Sequence, residues 1–321
     1  MCVKSASQAS TLADATFHSI EELNDYSRAI GREGEFVQLS KGPVTSKWRL
    51  LHLGECSLIS HRADKRMHAR VTPPKGGVAI AVMPPPYCML VDGREFGSDQ
   101  ILMIDSNSQR DFVVSGEFIC YTLILPESVM EATGRALVPR MRTNGGLTRI
   151  WQCPSSGWSA LHGGVTGLLR NGSMSPEDFS HLLSRFLGLI AGEREQGREK
   201  VHLGYKTTVY VAQRAQEYIE DHFRQSIRVE EICRYTGVSL STLGRSFSKY
   251  FQVSPFEYVK ARRLNAARQA LVAGDSSRDR VTQIAVENGF THLGRFTADY
   301  REHFDELPRD TLARETRSWT T

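Results

Sequence analysis

No apolar run in this 321-residue sequence reaches the length of a membrane span, and the N-terminal stretch MCVKSASQASTLADA lacks the apolar centre of a signal peptide. Cysteine is sparse. The six residues Cys2, Cys56, Cys88, Cys120, Cys153 and Cys233 form no CxxC pair and no zinc spacing, which argues against a disulfide framework and for reduced thiols in the cytoplasm. Charge of one sign is also lacking. A formal net charge of +4 is too small to indicate a nucleic-acid partner by itself. The chain contains no GxSxG, Walker loop, HExxH or catalytic Cys-His context, so no motif places its Ser, His and Asp residues for catalysis and no enzyme is expected.

What is present divides into two halves, as the length suggests. From about Glu35 to Pro126 short apolar runs alternate with turn-like stretches: FVQL, WRLLHL, GVAIAVM, YCMLV, ILMI and FICYTLIL, broken by PPK, PPP and VDGRE. Such runs fit the strands of a β-rich barrel or sandwich, with Asp92-Gly93 as a tight hairpin turn. After Pro126 the period changes to that of trailing helices over Glu127–Leu137, Ala160–Leu169 and Pro176–Ala191, the last capped by Ser175. Its Phe179, Leu182, Leu183, Phe186, Leu187 and Ile190 cover more than one helical side, which predicts a role in homodimer formation. The first domain is read as 1–192, a polar linker as 193–206 and an all-helical domain as 207–321.

Within the helical half, Ser254 and Glu257 form a capping box, Pro255 takes the first helical position and Gly274 stops the run. The stripe Phe256, Val259, Leu264, Ala267 and Leu271 would leave Lys260, Arg262, Arg263 and Arg268 to solvent or phosphate. Two segments flanking this helix repeat one another. Ile232, Cys233 and Gly237 match Ile284, Ala285 and Gly289; after one inserted residue, Leu243, Phe247, Phe251 and Pro255 match Phe296, Tyr300, Phe304 and Pro308. Each copy reads as a short helix, a glycine turn and a second helix, opened by Ser239 in one and Thr291 in the other. That is a helix-turn-helix pattern, and the helix between the copies, roughly 30 Å long, could hold them about one turn of duplex apart.

The pattern LxxxFxxxFxxSPxxYxxxxRLxxAxxxL from Leu243, with IAxxxGF from Ile284, resembles the AraC family of transcriptional regulators over Thr208 to Leu312. HLGRF from His292 and LPRDTL from Leu307 are similar to the subgroup responding to benzoate-like aromatic acids. The resemblance implies a sequence-specific DNA-binding regulator, an activator sensing a small organic effector through its β-rich domain, with no cofactor. Its partners would be double-stranded DNA, a second copy and RNA polymerase, on the nucleoid of a bacterial cytoplasm. Gln252 and Asp305 depart from the glycine common after the aromatic residue.

Carried over residue by residue, base readout falls to Ser241, Gly244 and Arg245 in the first unit and Leu293, Gly294, Thr297 and Ala298 in the second, with Thr242, His292 and Arg295 as neighbours. Arg245 has the fork that grips guanine in two hydrogen bonds. Gly244 and Gly294 each cost about 1 kcal/mol within a helix, for close approach to DNA or for packing. Lys249, Lys260, Arg262, Arg263, Arg278 and Arg280 are candidate phosphate contacts. His61 and His68, among predicted strands, lack the spacing of metal ligands and are read as structural or surface histidines. Lys47 and Arg49 flank Trp48 and could pair cations with an apolar face, although no motif marks an effector site. A constitutive DNA-binding protein whose first domain only dimerises or binds another protein remains the alternative.

Overall fold

A computed structural model describes residues 11–29, 34–53, 55–72, 77–105, 109–126, 128–129, 149–152, 155–173, 175–192, 203–275 and 280–313. The N-terminal part contains strands β1 (Thr11–Phe17), β2 (Gly34–Gln38), β3 (Ser46–Leu53), β4 (Cys56–Ala63), β5 (Met67–Val71), β6 (Gly77–Val82), β7 (Cys88–Val91), β8 (Arg94–Gly97), β9 (Gln100–Asp105), β10 (Arg110–Val114), β11 (Phe118–Pro126) and β12 (Arg149–Gln152). They form a seven-stranded sheet, β1-β3-β4-β11-β6-β9-β12, and a five-stranded sheet, β2-β5-β10-β7-β8, with helix α1 (Ile20–Ala29) between β1 and β2 in the chain. No pairing among the described residues closes either sheet on itself, so the barrel half of the sequence expectation is corrected to two open sheets. Asp92 and Gly93 take φ of 49° and 75° between β7 and β8, the left-handed pair that matches a two-residue hairpin to strand twist.

The apolar runs are continuous because the larger sheet is covered on both faces. Alternate residues Trp48, Leu50, Ile59, Cys120 and Ile124 face a core shared with Phe36, Met67, Val91 and Phe96 of the smaller sheet. Their neighbours Leu51, Leu58, Tyr121, Leu123 and Leu125 face α2 (Ser155–Asn171) and α3 (Pro176–Gly192). Ser175 caps α3 as expected, its hydroxyl accepting from the Asp178 amide at 3.1 Å. Phe179, Leu182, Leu183 and Phe186 are buried in this internal core, and the side chains of Leu187 and Ile190, the other two of the expected dimer contact, lie outside the described residues. The expected helix Glu127–Leu137 lies almost wholly outside the described residues.

The helical part comprises α4 (Leu203–His222), α5 (Val229–Thr236), α6 (Leu240–Phe251), α7 (Pro255–Ala273), α8 (Val281–Glu287), α9 (Leu293–Phe304) and α10 (Pro308–Leu312). Helix α4 begins at Leu203, so the last four residues of the expected linker, 203–206, are helical. Two cores form here. Val211, Ala215, Ile219, Ile232, Leu243, Phe247 and Phe251 pack with Tyr258 and Val259 of α7; Ile284, Ala285, Phe296, Tyr300 and Phe304 pack with Leu264, Ala267 and Leu271 of the same helix. Helix α7 thus serves both cores and is buried on several sides, while Phe256, expected in its apolar stripe, is 61% exposed.

The outer face of the smaller sheet meets both helix pairs through polar groups. Gln38 accepts from Asn265 and His303 at its carbonyl, and its side-chain amide donates to the His303 carbonyl at 3.1 Å. His68 and Arg70 bond Asp111, which also accepts from the Tyr250 hydroxyl at 3.1 Å. Burial opposes the charged form of Asp111, but the His68 hydrogen bond and the Arg70 guanidinium outweigh it and hold the carboxyl at about 2.

Candidate nucleic-acid interface

The first turn of α6 is built by Ser239, whose backbone is extended and whose hydroxyl accepts from the Thr242 amide at 3.3 Å. In the second pair His292, not Thr291, occupies the cap position, and no side chain caps α9. The helices stop alike. Gln252 and Asp305 adopt φ of 58° and 59°, so the left-handed turn that glycine commonly supplies is kept by other residues.

Each second helix buries one stripe and presents another. On α6, Ser241 and Arg245 are exposed while Leu243, Ser246 and Phe247 are buried; Thr242 is half-buried, its hydroxyl 3.0 Å from that of Ser239. On α9, His292, Leu293, Gly294, Arg295 and Ala298 are exposed above buried Phe296 and Tyr300, and Thr297 returns its hydroxyl to the Leu293 carbonyl at 3.1 Å. Gly244 and Gly294 have nothing within 4 Å of the place a Cβ would occupy. Packing against the described residues therefore does not account for either glycine, and the open space leaves the backbone accessible to a partner.

Aligning the two helices by their caps pairs Leu293 with Leu240, each the first residue of its helix; Leu240 is 62% exposed. Sequence reasoning named only Leu293. The repeat, shifted by its own inserted residue, carries the signal for Leu240.

The expected phosphate contacts divide. Lys249 and Arg280 are exposed, and Arg278 lies outside the described residues. Arg262, expected at the surface, is 7% exposed and ion-paired with Glu220 at 2.6 Å and Glu35 at 2.7 Å. Burial works against its charge, but Glu220 and Glu35 outweigh that cost and keep the guanidinium firmly protonated. Arg268 is likewise buried, between Glu21 at 2.8 Å and Glu306 at 2.5 Å. Arg263 donates to the Phe223 and Gln225 carbonyls, and Lys260 pairs with Asp299. The cations of α7 are therefore taken up by the protein itself, and the exposed ones sit on the second helices and at the start of α8.

The turn of the second pair is sterically closed. Gly289 has φ of +82°, and a Cβ there would lie 2.9 Å from the Arg224 carbonyl oxygen and 3.0 Å from Arg263 Nε; Gly237, with φ of +71°, faces open space. Gly237→Ala should cost about 1 kcal/mol through backbone strain alone, and Gly289→Ala clearly more. Urea unfolding of both variants checks this, and equal losses would show that the Arg224 backbone and the Arg263 side chain both give way at little cost.

His61 bonds Ser46 at 3.0 Å and packs against Trp48 and Phe118, while His68 belongs to the Asp111 cluster. Among the described residues no group of three or more His, Cys, Asp or Glu could hold a metal, and no helix is long and apolar enough to cross a membrane.

Residues 232–314 match the family model described as a helix-turn-helix domain. The chain is 24% identical over 247 residues to the XylDLEGF operon transcriptional activator 3 of Pseudomonas putida, covering 70% of this chain and 68% of that protein. It is 38% identical over 93 residues to the HTH-type transcriptional activator RhaS of Klebsiella pneumoniae, covering 29% and 32% of the two chains. The solved structure of a probable AraC family transcriptional regulator from Rhodopseudomonas palustris is 33% identical, covers 34% of this chain and 98% of its own, and superposes with a TM-score of 0.31. On the matched domain and that sequence identity across a whole regulator domain, the chain belongs to the AraC family of helix-turn-helix transcriptional regulators.

Proposed function

We propose that the protein is an effector-responsive transcriptional activator whose α5–α6 and α8–α9 pairs are two DNA-reading units, with α6 and α9 entering successive major-groove segments. The observation that carries this reading is the shared form of the two helices. Each begins on an exposed leucine, buries an aromatic stripe and presents its first turns, including an uncovered glycine, to solvent. Backbone and short side chains there can approach base edges, with Leu240 and Leu293 suited to a thymine methyl and Arg245 to guanine. Activation is supported by similarity to activators such as that of the XylDLEGF operon; a second copy and RNA polymerase as partners, and benzoate-like effectors, are what the resemblance of the sequence motifs implies.

The test is Arg245→Ala on the full chain, with a specific and a scrambled duplex of equal length at one salt concentration. The variant should lose about 1 to 3 kcal/mol on the specific site and flatten the preference at one or two base positions. Equal losses on both duplexes would assign Arg245 to phosphate anchoring and overturn its role in base readout.

A further inference from the structure

The face of the larger sheet turned toward α2 is only partly covered by that helix. Beyond the helix end lies a groove of about 430 Å³ across β1, β3, β4 and β11. Strand alternation decides what lines it. Trp48, Ala63, Phe118 and Cys120 point into the inter-sheet core, so Lys47, Arg49, Arg62, Ile119 and Tyr121 point the other way. Lys47 and Arg49 therefore point away from the core that holds the Trp48 ring.

Register brings the cations together. Lys47 is the direct cross-strand partner of Arg62, which is in turn the partner of Ile119; one row on, Arg49 neighbours Ser60 and Ser60 neighbours Tyr121. Like charges directly opposite on one face of an antiparallel pair destabilise it. Arg170, at the end of α2, adds a fourth cation to the lining. Two carboxylates answer them: Asp14 bonds Arg49 and Glu117 bonds Arg62. Among the described residues Lys47 and Arg170 make no ion pair. The groove thus combines a surplus of positive charge with a floor of Ile119, Tyr121 and Leu169.

We propose that this groove binds a small organic anion with an apolar body, its head held between Lys47 and Arg62 and its body on Ile119 and Tyr121. An anion seated there turns the opposed pair from a repulsive contact into two charge-assisted ones. The floor distinguishes the ligand from an inorganic ion. The proposal rests on the effector-responsive reading for its consequence at DNA, but not for the binding itself.

Titration calorimetry of the full-length protein with octanoate, octanol and octylammonium tests it. Octanoate should bind saturably at one site per chain, octanol about tenfold more weakly or worse, and octylammonium not at all. Lys47→Gln with Arg62→Gln should weaken octanoate by about tenfold or more, with thermal unfolding verifying the fold. Tyr121→Ser, which leaves the charges and removes floor, should weaken it as well, and Lys41→Gln, on another surface, should not. Should the double variant fail to fold, Lys47→Gln alone carries the charge test. Equal binding of octanol, unaltered octanoate binding in the charge variants, or capture only by anionic phospholipid vesicles would overturn the proposal. Operator affinity with and without saturating octanoate separates the two claims. Binding without a change in affinity leaves the site standing and refutes octanoate as an effector; absence of binding removes the site and leaves other effectors open.

Discussion

Asp111→Ala is expected to cost about 3 to 5 kcal/mol of folding stability, the range found when one member of a buried charge cluster is deleted. The carboxylate is 7% exposed and accepts from His68 Nε2 at 2.8 Å, Arg70 Nε at 3.1 Å and the Tyr250 hydroxyl at 3.1 Å. Its removal strands three donors at the junction of the smaller sheet with α6, where water cannot readily replace it. Asp111→Asn retains an acceptor without the charge and should lose less. Denaturant unfolding at neutral pH measures both, and a loss below about 1 kcal/mol for the alanine variant would mean that water enters the cluster freely. Because the folded state holds this carboxyl at about 2 against an ordinary 3.8, its contribution is complete above the ordinary value and is lost as pH falls toward 2.

A larger pH effect at milder acidity is expected from His303. The ring is buried at the end of α9, with Nε2 3.2 Å from the Gln38 carbonyl. Burial pushes its pKa from 6.5 down to about 4, against the hydrogen bond to Gln38, and Lys260, Arg268 and Lys41 add to the fall. The neutral ring donates to Gln38. Between pH 6.5 and 4 the unfolded chain binds a proton that the folded chain refuses, so stability present above 6.5 drains away as pH falls through 4, by roughly 3 kcal/mol in all. Thermal unfolding of the wild type and His303→Gln over this range, at constant ionic strength, isolates the effect. Parallel curves for the two proteins would show that His303 titrates normally in the folded state.

Local signals were the legible ones. Ser254 with Glu257, Ser175, Ser239 and Asp92-Gly93 all act within four residues of themselves, and each forms the cap or turn its type dictates. The internal repeat gave the two helix pairs and put Arg245, Leu293 and Gly294 on exposed helical surface. Arg262 was misread because the carboxylate of Glu35 that buries it lies 227 residues away, and an arginine on a helix looks the same whether it faces water or a distant acid. Helix α7 was assigned one apolar face, yet it packs on two cores and a sheet, so no single stripe describes it. The groove was invisible for a related reason: the opposition of Lys47 and Arg62 depends on strand register, which residue types alone do not fix.

Much of the contact between the N-terminal part and the helical part is drawn in charge and amide: Asp111 with Tyr250, Arg262 with Glu35, Arg268 with Glu21, and Gln38 with Asn265. An interface sealed by leucine and phenylalanine would, on parting, expose two sticky surfaces prone to aggregate. Here each face, once separated, offers water groups that it solvates well, which offsets much of the cost of separation. Such a joint can part and reseal without offering a broad apolar surface to other chains, and the directionality of its hydrogen bonds and ion pairs brings the two halves back to the same register.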